Sequence, residues 1–234
     1  MKNVFRLFVV TALMLSVSAF GQGSQAPAAA KPAVQMDVYH VHFNKAAIGK
    51  AAELGKALST PDPKESMPTH FIVLRHQEGD DWDYCVIQHL GKSATVDATP
   101  STLAPAMRDL SAWHGDTFVS GPTWAEFTKA MGIDQTGKTG GDVYIVSTFR
   151  AAPGHREQLE KTLKAPTQSK VPTGEVVMQH LEGAPWNYIT VTRYNSWQDL
   201  ATDRSAPPNA AAWAQTREDV ASHHDTIADR IAPK

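Results

Sequence analysis

Apolar and polar residues alternate along Asp37-Val38-Tyr39-His40-Val41-His42-Phe43, and again along Asp142-Val143-Tyr144-Ile145-Val146-Ser147-Thr148. Both stretches are rich in β-branched and aromatic residues, so each predicts a strand. The spacing then lengthens. Leu54 and Leu58 in one segment match Leu159 and Leu163 in the other, an i, i+4 apolar pair set among charges. That pattern predicts amphipathic helices over 47–58 and 152–163. Pro61, Pro63 and Pro68, and later Pro166 and Pro172, mark the loops that follow. Residues 70–76 and 175–180 predict second strands, and 84–90 and 188–194 third strands. Gly79 and Gly183 stand in the turns between them, giving antiparallel hairpins. Leu103, Met107, Leu110, His114 and Thr117 fall at helical spacing, so a second helix is predicted over 101–118, with its match over 210–227.

The two series share more than their pattern. His76-Gln77-Glu78-Gly79-Asp80-Asp81-Trp82-Asp83-Tyr84 returns as His180-Leu181-Glu182-Gly183-Ala184-Pro185-Trp186-Asn187-Tyr188, with His, Glu, Gly, Trp and Tyr in register. Agreement of rare and common residues at one offset implies an internal duplication. Strand, helix, strand, strand, helix is the order of a ferredoxin-like unit. Such a sheet carries helices on one face and leaves the other bare, and two units bury those bare faces against each other. The fold class expected is therefore α+β, with two tandem ferredoxin-like repeats packed sheet to sheet over 36–131 and 142–234, joined by a Gly-rich linker over 132–141.

In element order and duplication the chain resembles the dimeric α+β barrel superfamily, which includes antibiotic-biosynthesis-type monooxygenases, EthD-like and NIPSNAP-like proteins and haem enzymes such as chlorite dismutase. The resemblance implies an intrachain pseudo-dimeric barrel with a ligand in the space between its sheets. It also implies a final strand after each second helix, which the helical pattern of 227–231 and the brevity of Phe118-Val119 do not supply.

Ahead of the repeats, Lys2 and Arg6 precede an apolar run from Leu7 to Ser16 and small residues at Ala19, Gly21 and Gly23. This is the pattern of a secretory signal peptide over 1–21, too short for a membrane span. The Ala-, Gln- and Pro-rich stretch over 22–35 reads as a flexible tether. Export to the bacterial periplasm or beyond is expected. Cys85 is the single cysteine, so an internal disulfide is excluded and packing must hold the fold. The formal net charge is −2 and no basic run occurs, which argues against nucleic acid as a partner.

Candidate chemistry centres on histidine. His40 and His42 stand two apart on a predicted strand, on one face and roughly 6.5–7 Å apart along the backbone, a spacing that lets two imidazoles converge on one metal. Ile145 and Ser147 replace them in the second series, so such a site would exist once. The plainer alternative is that Tyr39, Val41 and Phe43 form the buried face and both histidines face solvent or a wet cavity without metal. No third ligand is fixed locally, although His70, His76 and His89 lie on neighbouring strands. His114 and Asp116, matched by His223 and Asp225, resemble acid–base pairs, but on the predicted helix residues two apart diverge and would not meet. His114 and His223 remain candidates to face the inter-sheet cavity as a base or ligand. Tyr84 and Tyr188, with Trp82 and Trp186, are read first as folding elements, and the two tyrosines also as candidate ligand contacts. Cys85 is expected to be a buried small apolar residue.

The function expected is binding of a small, partly apolar molecule between the sheets, with simple cofactor-free chemistry. A haem or metal enzyme, and a structural or partner-binding module open to self-association, are the alternatives. The sequence names no ligand or cofactor.

Overall fold

A computed structural model describes residues 36–92, 107, 109–133, 141–167, 169–206 and 210–233. The elements run β1 (Asp37–Ala46), α1 (Ala51–Leu58), β2 (Phe71–Glu78), β3 (Tyr84–Lys92), β4 (Ser111–Gly121), α2 (Trp124–Met131), β5 (Val143–Ala151), α3 (Arg156–Lys164), β6 (Gly174–Glu182), β7 (Tyr188–Tyr194), α4 (Trp197–Ser205), α5 (Ala210–Asp219) and β8 (Val220–Ala232). The eight strands close into an antiparallel barrel in the order β1-β3-β2-β8-β5-β7-β6-β4. Each half thus contributes four adjacent strands, and the halves meet where β2 pairs with β8 and β4 with β6. Among the described residues no helix is long and apolar enough to cross a membrane.

The first three strands and the first helix of each half lie within a few residues of their predicted places. The second helix of the first half does not. Ser111–Gly121 is a strand, paired with β1 from Asp37↔Gly121 to Ala46↔Ser111. Helical spacing in that stretch is coincidental. In strand geometry Thr117 and Val119 turn inward, while His114, Asp116 and Phe118 face out. Leu103 lies outside the described residues. In the second half the helix is real but stops at Asp219, and Val220–Ala232 forms β8. The final strands missing from the pattern are therefore present, and they close the ring. Helices α2 and α4 were also unforeseen. Ser196 accepts a hydrogen bond from the Asp199 amide at the start of α4, and Thr123 and Glu126 form a reciprocal capping box at α2.

Side chains from all eight strands fill the interior, among them Tyr39, Val41, Ile72, Leu74, Cys85, Ile87, Val119, Tyr144, Val146, Met178, Ile189, Val191 and Ala228. A Cβ at Gly121 would lie 2.8 Å from Met178 Cγ and 3.1 Å from a Tyr39 ring carbon, which shows how closely this core is packed. Among the described residues these side chains occupy the space between the sheets in which the sequence placed a ligand. Two shallow clefts, of about 220 and 270 Å³, lie elsewhere, one beside Phe149, Val220 and His223 and one beside Phe71 and Ile231.

Helices α1, α3 and α4 cover the outer face through Leu54 on Phe71, Val73 and Tyr84, Leu159 on Phe149 and Tyr188, and Leu200 on Val143 and Tyr194. Helix α2 behaves differently. Its Phe127 and Met131 join the interior core, the Phe127 ring lying 5.1 Å from that of Tyr39. The Tyr39 hydroxyl donates to the Pro122 carbonyl and the Tyr144 hydroxyl to the Met131 carbonyl. Strands β1 and β5 lie four steps apart in an antiparallel ring and so run in the same direction, and α2 bridges their beginnings across one end of the barrel.

Local hydrogen bonds recur between the halves. The Ala46 amide donates to Asp83 and the Ala151 amide to Asn187. The Tyr84 and Tyr188 hydroxyls donate to the Ala51 and Arg156 carbonyls. The turn glycines show why the Glu-Gly motif recurs. Gly79 and Gly183 have φ of 129° and 103°, and a Cβ would lie 2.4 Å from the Asp225 carbonyl oxygen and 2.6 Å from that of Asp116. Each hairpin turn rests on the last strand of the other half, where only glycine fits.

Candidate functional site

Strand alternation decides where the histidines go. Tyr39, Val41 and Phe43 turn into the core, so His40 and His42 face outward. Across the β1–β4 ladder His40 pairs with Phe118, His42 with Asp116 and Asn44 with His114, which places all these outward groups on one patch. His40 Nε2 lies 2.8 Å from Asp116 Oδ1, His114 Nδ1 lies 2.8 Å from Asp116 Oδ2, and His42 Nε2 is 3.5 Å from Oδ1. The His40 ring is stacked between His42, at 5.6 Å, and Phe118, at 5.2 Å, and His114 meets His42 edge-on at 5.4 Å. Ligand atoms of His42, His114 and Asp116 lie within 4.8 Å of one another.

The pairing of His114 with Asp116 corrects the sequence reading, and its cause is the strand. Two residues apart on a helix diverge, whereas two apart on a strand share a face. Sequence reasoning set Asp116 aside for that reason. Its signals were the alternation of Gly115, Thr117 and Val119 with His114, Asp116 and Phe118, and its match to Asp225.

Burial pushes the His42 imidazole down to about 4, with Asp116 opposing the shift and His40 and His114 adding to it. Its Nε2 is buried and makes no hydrogen bond. Burial raises the Asp116 carboxyl, but hydrogen bonds from His40 and His114 and the charges of His42 and His40 outweigh this and hold it well below the usual carboxylate range. The patch therefore joins a stable carboxylate to an imidazole that is neutral at pH 7.

The other candidates lie apart from this patch. Tyr84 and Tyr188 are buried under α1 and α3 with their hydroxyls spent on backbone carbonyls, as folding elements. His223 is exposed, 5.7 Å from Phe149 at the smaller cleft, and does not face a cavity between the sheets. His114 likewise faces outward. His76 and His180 pack against Trp82 and Trp186. Cys85 is fully buried and its thiol is pushed up by burial.

His70 and His89, noted in the sequence as lying on neighbouring strands, belong to a second polar group whose centre, Asp37, sequence reasoning missed. Asp37 Oδ2 lies 2.9 Å from His89 Nε2 and accepts the Trp124 amide at 3.0 Å, while His89 Nδ1 faces His70 Nδ1 at 3.1 Å. The Trp124 indole lies flat on both rings, at 4.7 and 5.3 Å. In the second half Asp142 faces Arg193 at 3.4 Å and Arg230 at 3.9 Å instead. The Asp37 group thus anchors α2 to the barrel end, and its histidines are spoken for.

No protein-family model matches the chain, and no curated protein matches it. Solved structures do. A crystal structure of an anthrone oxidase-like protein superposes with a TM-score of 0.52 at 12% identity, covering 84% of this chain and 92% of the other. A putative monooxygenase from Lactobacillus acidophilus NCFM gives 0.53 at 10% identity, with 84% and 94% covered, and one from Fusobacterium nucleatum subsp. nucleatum gives 0.58 at 8%, with 84% and 93% covered. At these identities the likeness is one of architecture, shared over nearly the whole barrel. The chain has the dimeric α+β barrel fold.

Proposed function

We propose that this is an exported protein that binds a small organic molecule on the outer face of the barrel over β1 and β4, and that His40, His42 and His114 exchange protons with it there beside the charged carboxylate of Asp116. One observation carries this reading: four polar side chains from two strands converge on a single patch, and the buried His42 Nε2 is left without a hydrogen-bond partner. Buried polar atoms are ordinarily paired, and an unpaired one at a partly open patch is placed to meet a ligand. The second half keeps the aspartate as Asp225 but has Ile145 and Ser147 where the histidines would be. Loss of one of two ancestral sites after a duplication accounts for that asymmetry, and the recurring turn and hydrogen-bond contacts support the duplication itself. The names of the structural neighbours favour oxidation of an organic substrate, for which removal of an acidic proton is a suitable first step.

The test is side-chain NMR of the mature, EDTA-treated protein titrated with a panel of small phenols and fused-ring aromatics. The expected result is ligand-dependent shifts of the His42 and His114 ring resonances, and loss of binding in His42→Ala. Compounds that bind His42→Ala and Asp116→Asn as well as the wild type would move the site elsewhere.

A further inference from the structure

We infer that the His42–His114–Asp116 group is a binding site for one divalent first-row transition ion, with His40 as the residue that holds the carboxylate in place. The inference takes its location from the proposed small-molecule site and adds what stands at its centre. Two imidazoles and one carboxylate on the same side of an ion, with the remaining positions left to water or substrate, form the donor set of mononuclear zinc and iron(II) centres.

The geometry is close to that of a formed site. The three ligand atoms already lie within 4.8 Å of one another, and bonds of about 2.1 Å would bring them to about 3.0–3.4 Å apart. His42 supplies the fixed corner, since its side chain is 14% exposed and rises from the middle of a strand paired on both sides. His114 and Asp116 make up the rest of the distance. Their side chains are 38% and 39% exposed, so small rotations that close the distance turn into solvent rather than into the core. His40 donates to Asp116 Oδ1 at 2.8 Å and is itself clamped between the His42 and Phe118 rings. A ligating carboxylate is usually oriented by a hydrogen bond of this kind.

Comparison with the matched patch supports a cation. Asp225, in the second half, faces the Arg204 guanidinium from α4 at 3.4 Å, a fixed positive charge. Asp116 is surrounded instead by His40, His42 and His114, the groups that set its charge. The buried His42 Nε2 beside it has no hydrogen-bond partner. An exchangeable cation fills the place that a guanidinium side chain fills in the other half.

The experiment is equilibrium dialysis of the EDTA-stripped mature protein against Zn(II) and Co(II), with metal analysis and, for Co(II), the visible absorption of the bound ion. The expected result is one equivalent bound by the wild type and by Asp225→Asn, loss of that equivalent in Asp116→Asn and His42→Ala, and affinity about 10- to 100-fold weaker in His40→Ala. His114→Ala, at an exposed position, carries the same prediction should His42→Ala fail to fold. No uptake by the folded wild type, or uptake unchanged in Asp116→Asn and His114→Ala, would overturn the metal site. Phenol-induced shifts at His42 in the same stripped protein would then leave the small-molecule site standing. Metal uptake without such shifts would do the reverse.

Discussion

His42 and Asp116 oppose each other in the β1–β4 register, the imidazole Nε2 3.5 Å from the carboxylate Oδ1. Because burial pushes this imidazole down to about 4 from an ordinary 6.5, the unfolded chain takes up a proton below pH 6.5 that the folded one refuses. In the metal-free protein, stability should be unaffected by His42 above pH 6.5 and fall by up to about 3 kcal/mol between pH 6.5 and 4. Urea unfolding at pH 7.5 and 4.5 measures the difference. His42→Gln should flatten it, and an unchanged slope would show that His42 is not the group responsible.

Gly183 carries a heavier constraint than an ordinary turn glycine. Its φ is 103° and a Cβ would come 2.6 Å from the Asp116 carbonyl oxygen. Gly183→Ala should cost about 2 kcal/mol or more through strain and displacement of β4. Gly49→Ala shares the positive φ but meets open space, so its cost should be nearer 1 kcal/mol. Thermal unfolding of the two variants side by side separates the clash from the backbone strain.

Asp37 ties β1 to both His89 and the first amide of α2. Asp37→Ala deprives the buried His89 Nε2 and the Trp124 backbone amide of their shared acceptor, and should destabilise by about 3–5 kcal/mol. Trp124, stacked on both histidines, should change its fluorescence in the native baseline. A variant with wild-type stability and emission would show that α2 is held by its apolar contacts alone.

Tyr144→Phe tests the same helix from its other end. Removing the hydroxyl deprives the Met131 carbonyl of its buried donor at 2.8 Å, for an expected loss of about 1–2 kcal/mol. Amide exchange over 124–131 should accelerate relative to the strands.

The opening of the chain gives a prediction about processing. Expressed from Met1 in a bacterium, the protein proposed to be exported should be recovered from the periplasm or medium with a new N-terminus near Gly21, read by intact mass. Retention of Met1 in a cytoplasmic product would dismiss export.

Much of this architecture could be read from alternation alone. The first three strands and first helix of each half carry strong period-2 or i, i+4 patterns, and the repeated His-Glu-Gly-Trp-Tyr residues locate the hairpins. The final strands could not be read this way. The polar outward residues of Ser111–Gly121, from His114 to Phe118, serve a site rather than a core, and its inward positions include glycine and threonine, so the apolar signal is weak and a helical period fits by accident. Only pairing with β1 and β6 makes it a strand, and that information lies far away in the sequence. His40 and His42 were visible as a pair. Asp116 was not, because an error of local structure turned it away from His114. The filled interior was also beyond a pattern reading, since apolar alternation reports which side chains face in but not whether they leave room.

Closure of the strands into a ring has a consequence for how this molecule meets others. Among the described residues each strand is bonded to a neighbour on both flanks over at least part of its length, three residue pairs in the case of β4 and β6, so no strand has one flank wholly bare. Growth into fibrils by edge-to-edge stacking, and capture of an extended peptide as a ninth strand, are both disfavoured by that closure.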